Sequence, residues 1–149
     1  MADSGNVGAG ELRELIDHVF SELDADERRG SMLRAAGLSV RLEVTDLDLS
    51  IRVRASEKGA HHLAWGFAEE RPSETEGLIL EMNSATVNAY LQGHESLAVA
   101  IARGRVRCSG DMRTALVCVP AMRLFVEPYR RWVARLHPHL AVKPADIQV

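Results

Sequence analysis

The chain has 149 residues, a mass of 16.4 kDa and a formal net charge of −3, which is the size of one compact domain. Its 46% hydrophobic and 26% charged residues are close to globular averages, so global disorder and fibrous repeats are disfavoured. No apolar run approaches the ~20 residues that cross a bilayer, and the N-terminus lacks the basic and apolar segments of a signal peptide. We therefore expect a single cytoplasmic domain.

The first 37 residues predict a polar tail and two helices. Residues 1–10 are small and polar, and we expect them to be disordered. Residues 11–37 have helical patterns, with a second, shorter helix over 24–37 that ends at Gly37. The first helix places its apolar side chains on one stripe that should face a core, namely Leu12, Leu15, Ile16, Val19, Phe20 and Leu23.

Period-two alternation predicts that the next elements are strands. Apolar and polar residues alternate over 38–45 and again over 47–54. Each of these strands should therefore have one buried and one solvated face, as is typical of antiparallel sheets. A third strand over about 60–68 and, after a polar loop, a fourth strand over 77–82 follow.

Two short helices come after the fourth strand. Residues 84–92 and 95–103 carry apolar side chains at helical spacing, and Gly93 and Gly104 end the two helices. Glycine absorbs a change of backbone conformation at low cost, so both positions can act as hinges.

The chain then returns to the sheet and ends in a long helix. A fifth strand over 105–108 leads to Asp111, which can cap a helix over 112–119. The last helix, over 121–136, contains Pro128, whose ring should kink or split it.

This order of elements predicts one α+β domain with a five-stranded, mostly antiparallel sheet covered by helices. Its core should span residues 38–136, preceded by the helices of residues 11–37. Residues 137–149 contain Pro138 and Pro144, and we expect them to form an extended tail.

The segment 77–111 has a distinctive order of elements and glycines. A strand and a short helix lead to Leu91-Gln92-Gly93, and a second short helix follows. A glycine, alternating basic and apolar residues and a glycine-aspartate pair then occur in Gly104-Arg105-Val106-Arg107-Cys108-Ser109-Gly110-Asp111. This order resembles the sterol-carrier-protein type 2 family, over residues 38–136. The resemblance implies a sheet and helices around an apolar tunnel that binds fatty acyl chains, acyl-CoA, phospholipid or sterol.

The resemblance further implies that apolar side chains line the tunnel and that the two short helices form its lid. Aromatic side chains offer apolar bulk with one polar group, and methionines offer a pliable wall, to which Met122 would also contribute. We expect the ligand to contact Trp65, Met82, Tyr90, Leu91, Leu97, Ile101, Met112, Phe125, Tyr129 and Trp132.

Two arginines of the fifth strand are candidates for a contact with a lipid headgroup. Arg105 and Arg107 should share one strand face, and a guanidinium group binds phosphate or carboxylate in a charge-assisted manner. The alternative is that both arginines lie on a solvated outer face.

These expectations describe a non-catalytic carrier with a lipid or fatty acyl ligand, transient membrane contact and no cofactor. The negative net charge argues against nucleic acid as a partner. The alternative is a protein-interaction or dimerisation module whose core is filled; the oligomeric state stays open. A carrier should have an apolar pocket of at least ~300 Å³, whereas an interaction module should expose an apolar patch.

The histidines do not predict a metal site. His61 and His62 are adjacent on the predicted third strand, so their side chains should point to opposite faces. His137 and His139 flank Pro138, and the sequence offers no evident third ligand beside them. We therefore expect no bound metal.

Overall fold

The computed structural model describes residues 7–56, 59–68 and 77–142. The elements are, in chain order, α1 (Ala9–Ala25), α2 (Glu27–Ala35), β1 (Ser39–Val44), β2 (Leu49–Ala55), β3 (Leu63–Ala68), β4 (Leu78–Met82), α3 (Ser84–Leu91), α4 (Leu97–Ala102), β5 (Arg107–Gly110), α5 (Met112–Ala121) and α6 (Val126–Leu136). Short 3₁₀ helices join α5 to α6 (Met122–Phe125) and follow α6 (Pro138–Leu140). No helix in these ranges is long and apolar enough to span a membrane.

The five strands form one sheet in the order β3-β2-β1-β4-β5. Three of the four neighbouring pairs are antiparallel, and β1 pairs with β4 in parallel. The predicted α+β class with a mostly antiparallel sheet is therefore confirmed. The parallel pair arises because β4 does not extend the β1-β2-β3 meander but joins the sheet on the other side of β1.

One face of the sheet is apolar in every central strand. Val53 of β2 pairs with Val40 of β1 and with Trp65 of β3, while Leu42 of β1 pairs with Leu80 of β4. The helices lie on this face, and Phe20 of α1 makes an edge-to-face contact with Trp65 at 5.9 Å. The period-two alternation therefore predicted the correct core face of β1, β2 and β3.

The opposite face of β1 is polar, as predicted, but it is buried, whereas the alternation predicted that it would be exposed to solvent. Arg41 and Glu43 are only 9% and 8% exposed. Glu43 accepts a hydrogen bond from Ser50 Oγ at 3.0 Å, and its carboxylate lies 3.9 Å from Arg41 Nε. Glu43 can be buried because it accepts the hydrogen bond from Ser50 across the β1–β2 ladder and lies beside the Arg41 guanidinium group.

Several boundaries differ from those predicted, each for a local reason. The second helix begins at Glu27 because the Asp26 side chain accepts a hydrogen bond from Arg29 N and caps it. The fifth strand begins at Arg107 rather than at Arg105, because Arg105 N–H bonds to the carbonyl of Ala100 and closes the end of α4.

The prolines of the last helical region also behave differently from one another. The predicted helix over 121–136 is split, as expected, into a 3₁₀ helix and α6. Pro128 lies in the first turn of α6, where a missing N–H leaves no helical hydrogen bond unmade. Pro120, by contrast, lies inside the last turn of α5, which runs to Ala121 instead of ending at residue 119.

The two terminal segments are more ordered than predicted wherever the structure describes them. Val7 is buried and α1 begins at Ala9, within the expected disordered tail. Residues 138–140 form a 3₁₀ helix instead of an extended tail, because Leu140 is buried in the core. Residues 1–6 and 143–149 of these predicted tails lie outside the described residues.

A partly buried carboxylate holds three helices together. Glu22 of α1 accepts hydrogen bonds from Arg131 of α6 at 2.8 and 2.6 Å, from Trp132 Nε1 at 3.0 Å and from Arg29 of α2 at 3.1 Å. These bonds, that from Arg131 above all, lower the pKa of Glu22 to about 2. The ionised carboxylate is thus favoured by folding.

We expect Glu22→Gln to destabilise the protein in a pH-dependent manner. The pKa of Glu22 in the folded state lies below the value of 4.5 of an unperturbed glutamate. Its contribution is therefore fully present above about pH 4.5 and is lost as the pH falls towards 2. Urea denaturation should show that the substitution lowers the free energy of unfolding by about 1–3 kcal/mol at pH 7 and by much less at pH 2.5.

The control is Asp48→Asn, which neutralises an exposed carboxylate in a left-handed turn position that asparagine tolerates. This variant should retain nearly the stability of the wild type at both pH values. If Glu22→Gln lowered the free energy of unfolding equally at pH 7 and pH 2.5, the ionised carboxylate would not be what stabilises the fold.

Candidate ligand-binding pocket

An apolar pocket of about 650 Å³ lies between the turn that joins α3 to α4 and the junction of α5 with α6. Its volume is within the range of ~300–1,000 Å³ that is typical of small-molecule sites. The apolar side chains of its wall are Tyr90, Leu91, Leu97, Val119, Met122 and Val126.

The turn between α3 and α4 is shaped by capping residues. The Asn83 side chain accepts a hydrogen bond from Thr86 N at 2.8 Å and begins α3, and Ser96 caps α4 in the same way. Gly93 ends α3 with a φ of +80°. A Cβ atom at Gly93 would lie 2.9 Å from Val126 Cγ1, so the glycine also permits the close approach of α3 to α6.

The side wall of the pocket contains one phenol group. Tyr90 Oη donates a hydrogen bond to Met122 Sδ at 3.7 Å. Burial raises the pKa of Tyr90 to about 12, so the hydroxyl group stays protonated at neutral pH. A thioether is a weak acceptor, and the hydroxyl group can therefore exchange this bond for one to a ligand oxygen.

The rim of the pocket carries both signs of charge. Glu95 lies in the wall with only 8% of its side chain exposed, and it is ion-paired with Arg105. Arg123 lies in the wall as well and is exposed. Within residues 7–56, 59–68 and 77–142, no carboxylate pairs with Arg123, so its guanidinium group is available to an anionic ligand.

A buried polar network lies behind α3. The Asn88 side chain accepts hydrogen bonds from Tyr129 Oη at 2.9 Å and from Gln92 Nε2 at 2.7 Å, and it donates one to the carbonyl oxygen of Leu140 at 2.9 Å. Gln92 in turn accepts a bond from Val142 N at 2.9 Å. The network joins α3, α6 and the segment after α6, and burial raises the pKa of Tyr129 well above its usual range.

Two further depressions lie beside the sheet, with volumes of about 370 and 720 Å³. Arg54 contributes to both, together with Arg41 and Arg52 in the smaller one and Arg34 in the larger one. Charged walls of this kind do not favour an apolar ligand. The pocket beside α3 and α4 is therefore the better candidate for a lipid.

No model of a known protein family matches the chain, and no curated protein matches it. Several solved structures, in contrast, match the chain. A conserved hypothetical protein from Thermus thermophilus, which has been suggested to be a sterol carrier protein, superposes with a TM-score of 0.58 at 13% identity, over 97% of this chain and 99% of that one. The ubiquinone synthesis protein UbiJ-SCP2 superposes with a TM-score of 0.54 at 14% identity, over 80% and 96%.

This chain has the sterol-carrier-protein-2-like fold. The resemblance inferred from the sequence is thus confirmed at the level of the fold. The same fold occurs within a larger enzyme: the sec-alkylsulfatase Pisa1 from Pseudomonas sp. matches with a TM-score of 0.50 at 15% identity. That match covers 64% of this chain, which spans only 14% of the length of the sulfatase.

The sterol-carrier-like fold brings only part of the predicted ligand-contacting set to the pocket. Tyr90, Leu91 and Leu97 lie in its wall, as does Met122. Ile101 and Met112 lie instead on the protein surface, where they are 41% and 70% exposed.

The other predicted contacts belong to the packed core or to the contacts of α1. Met82, Phe125 and Tyr129 are at most 2% exposed. Trp65 donates a hydrogen bond to Asp17 of α1, and the ring of Trp132 stacks on His18 at 4.2 Å. Helical spacing indicates which face of an element is apolar, but it does not indicate which part of that face borders a cavity.

The predicted headgroup arginines also lie outside the pocket wall. Arg105 is paired with Glu95, and Arg107 lies on the exposed edge strand β5, in register with Glu81. Three residues of the wall were not among the predicted contacts, namely Val119, Arg123 and Val126. The spacing of Met112, Leu116 and Val119 puts the three on one helix face, but only the packing of α5 shows that this face ends at the pocket.

We expect Gly93→Ala to destabilise the protein more than Gly104→Ala. Both glycines have positive φ angles, +80° and +76°, so an alanine should cost about 1–2 kcal/mol at either position. Only at Gly93 would the new Cβ also meet a neighbour, Val126, whereas Gly104 faces open space. Urea denaturation should therefore show a larger decrease in the free energy of unfolding for Gly93→Ala. Equal decreases for the two variants would show that the approach of α3 to α6 is not tight.

Proposed function

We propose that the protein binds the acyl chain of a fatty acid or a related lipid in the pocket between α3, α4 and the α5–α6 junction, and carries it between membranes. The observation that carries this proposal is the pocket of about 650 Å³ with its largely apolar wall. The sterol-carrier-like fold supports it further. Binding and release are sufficient for this function, and no covalent step is involved.

The driving force is the removal of the acyl chain from water. Each buried methylene group contributes about 0.8 kcal/mol, and Met122 in the wall is a flexible side chain that adapts to chains of different shape. Affinity should therefore rise with chain length until the pocket is filled.

The polar end of the lipid would lie at the rim. Arg123 is the exposed cation of the pocket wall and can pair with a carboxylate or phosphate group. Tyr90 Oη, which has only a weak acceptor in Met122, would donate to a headgroup oxygen. This arrangement replaces Arg105 and Arg107 as the candidate headgroup contacts.

An exposed apolar stripe on α5 offers a route into the pocket. Met112 and Leu116 are 70% and 76% exposed, and Val119 follows them on the same face of the helix. Val119 is part of the pocket wall. A lipid that leaves a membrane could follow this stripe, and the adjacent Arg113, which is exposed, would favour an anionic surface.

Filling the pocket should weaken lipid binding without unfolding the protein. Ala98 lies in the pocket wall and is exposed, so Ala98→Trp adds an indole ring to the cavity and leaves the core intact. The matched control is Ala102→Trp, one turn further along α4 and outside the pocket wall. Titration with a fluorescent fatty acid should give at least about a tenfold weaker Kd for Ala98→Trp, equivalent to ~1.4 kcal/mol.

The same titration distinguishes the two parts of the site. Arg123→Gln should weaken binding of palmitate and leave binding of hexadecanol nearly unchanged, because only palmitate carries a charge. Equal affinity of wild type, Ala98→Trp and Ala102→Trp for every ligand would refute the pocket as the lipid site.

A second candidate function rests on the same stripe. Exposed apolar patches also occur at protein interfaces, and Leu116 and Met112 could bind a second copy of the chain. In that case the stripe would be covered by protein and not used at a membrane.

Leu116→Ser separates the two functions. For a carrier, transfer of a fluorescent fatty acid between vesicles of phosphatidylcholine and phosphatidylglycerol should slow several-fold, while sedimentation shows a monomer before and after the change. For a dimerisation module, the wild type should sediment as a dimer and Leu116→Ser as a monomer. The control is Met32→Ser, which removes an exposed methionine of α2 and should change neither readout.

A further inference from the structure

Three metal-ligating side chains from opposite ends of the chain meet at the start of α1. They are Glu11 of α1, His137 at the end of α6 and His139 of the following 3₁₀ helix; one ligand atom from each lies within 4.8 Å of the other two. Glu11 Oε2 is 2.9 Å from His139 Nε2 and 3.5 Å from His137 Nδ1. The third ligand that the sequence did not reveal is thus supplied by tertiary packing.

The two histidines are held in place by backbone geometry and by the buried network. Pro138 begins the 3₁₀ helix directly after His137, and Leu140 ends it. The carbonyl oxygen of Leu140 accepts hydrogen bonds from Asn88 and Gln92, at 2.9 Å each. The imidazole rings are therefore fixed near α1, with their centroids 5.8 Å apart.

Outer hydrogen bonds orient two of the three side chains. His137 Nε2 lies 2.6 Å from Glu14 Oε1, which leaves His137 Nδ1 facing Glu11. Gly8 N–H donates to Glu11 Oε1 at 3.0 Å and leaves Glu11 Oε2 facing the histidines. Metal-bound histidines generally donate their second ring N–H to a carboxylate in this way, and bound carboxylates are oriented by hydrogen bonds.

We propose that Glu11 Oε2, His137 Nδ1 and His139 Nε2 form a binding site for Zn²⁺ or a similar borderline divalent cation. Tetrahedral bonds of about 2.0–2.1 Å separate the ligand atoms by roughly 3.3 Å, and the two distances from Glu11 Oε2, 2.9 and 3.5 Å, bracket this value. Two neutral imidazoles and one carboxylate suit Zn²⁺, with water in the remaining position. The carboxylates of Glu11 and Glu14 balance the charge of the ion.

The site would join the segment after α6 to the first turn of α1. It lies apart from the lipid pocket, because Glu11, His137 and His139 are not in the pocket wall. The expected effect of the metal is therefore on the stability of the contact between α1 and the segment after α6 and not on lipid affinity, so the proposal is independent of the proposed function.

The other pair of neighbouring histidines provides a natural comparison. His61 Nδ1 lies 2.8 Å from Asp24 Oδ2, whereas His62 Nε2 lies 3.1 Å from Glu27 Oε2. Each of these histidines meets its own carboxylate, and in the described residues they do not form a three-ligand cluster. His61→Gln thus removes a histidine–carboxylate pair of the same kind without touching the proposed site.

The test is a titration of the full chain with Zn²⁺ in competition with a chromophoric chelator. The wild type and His61→Gln should bind one ion with equal affinity. His139→Gln, which changes a half-exposed ligand, should weaken binding at least about tenfold, and Glu14→Gln should weaken it by about 10–100-fold through His137. Replacement of Zn²⁺ by Co²⁺ should give visible absorption bands typical of four ligands in the wild type and His61→Gln, and His139→Gln should lose these bands.

Either of two results would overturn the proposal: the absence of saturable binding to the wild type, or equal affinity in the wild type, His139→Gln and Glu14→Gln. Far-ultraviolet circular dichroism of the metal-free variants verifies that they are folded. Glu14→Gln keeps the test decisive if His139→Gln does not fold, because Glu14 is not itself a ligand. Fatty acid binding, measured in parallel, should be the same in all four proteins.

Discussion

The buried side chain of Asn88 is the constraint on which the functional parts of this structure depend. It binds Tyr129 of α6, Gln92 of its own helix and the carbonyl of Leu140 at once. Because an unpaired polar group at 0% exposure would be costly, all of these partners must stay in place. Asn88 thereby fixes α3 against α6, which positions the pocket, and it fixes the segment that carries the two histidines of the proposed metal site.

The pocket and the histidine cluster use the same framework in different ways. The pocket lies where the chain turns at Gly93 between two short helices, and its wall combines buried side chains such as Leu91 and Met122 with exposed ones such as Ala98 and Arg123. The cluster lies where the segment after α6, anchored by the buried Leu140, meets the first turn of α1. One region is suited to admit a flexible ligand, and the other is suited to hold side chains in a fixed geometry.

The fold was largely predictable because its elements have strong local patterns. The stripe of α1 is fully apolar on one side, and the strands alternate in step with the sheet register. Boundaries that depend on a single cap or hydrogen bond were displaced, such as Asp26 before α2 and the Arg105 N–H at the end of α4, and the terminal segments proved more ordered than predicted. The candidate site was less predictable, since Tyr90 and Leu97 carry the same hydrophobic pattern as Tyr129 and Phe125, which are core residues.

The sequence by itself determined the class of the fold, the core face of the first three strands, the helix cap at Asp111 and the helix ends at Gly93 and Gly104, because these depend on residues within a few positions of one another. Tertiary structure alone decided which apolar residues border a cavity, that Arg123 and not Arg105 is the available cation at the rim, and that Glu11 joins His137 and His139. These outcomes depend on contacts between distant segments. Residue 11 and residue 139 are 128 positions apart, and no local pattern carries information about their distance in space.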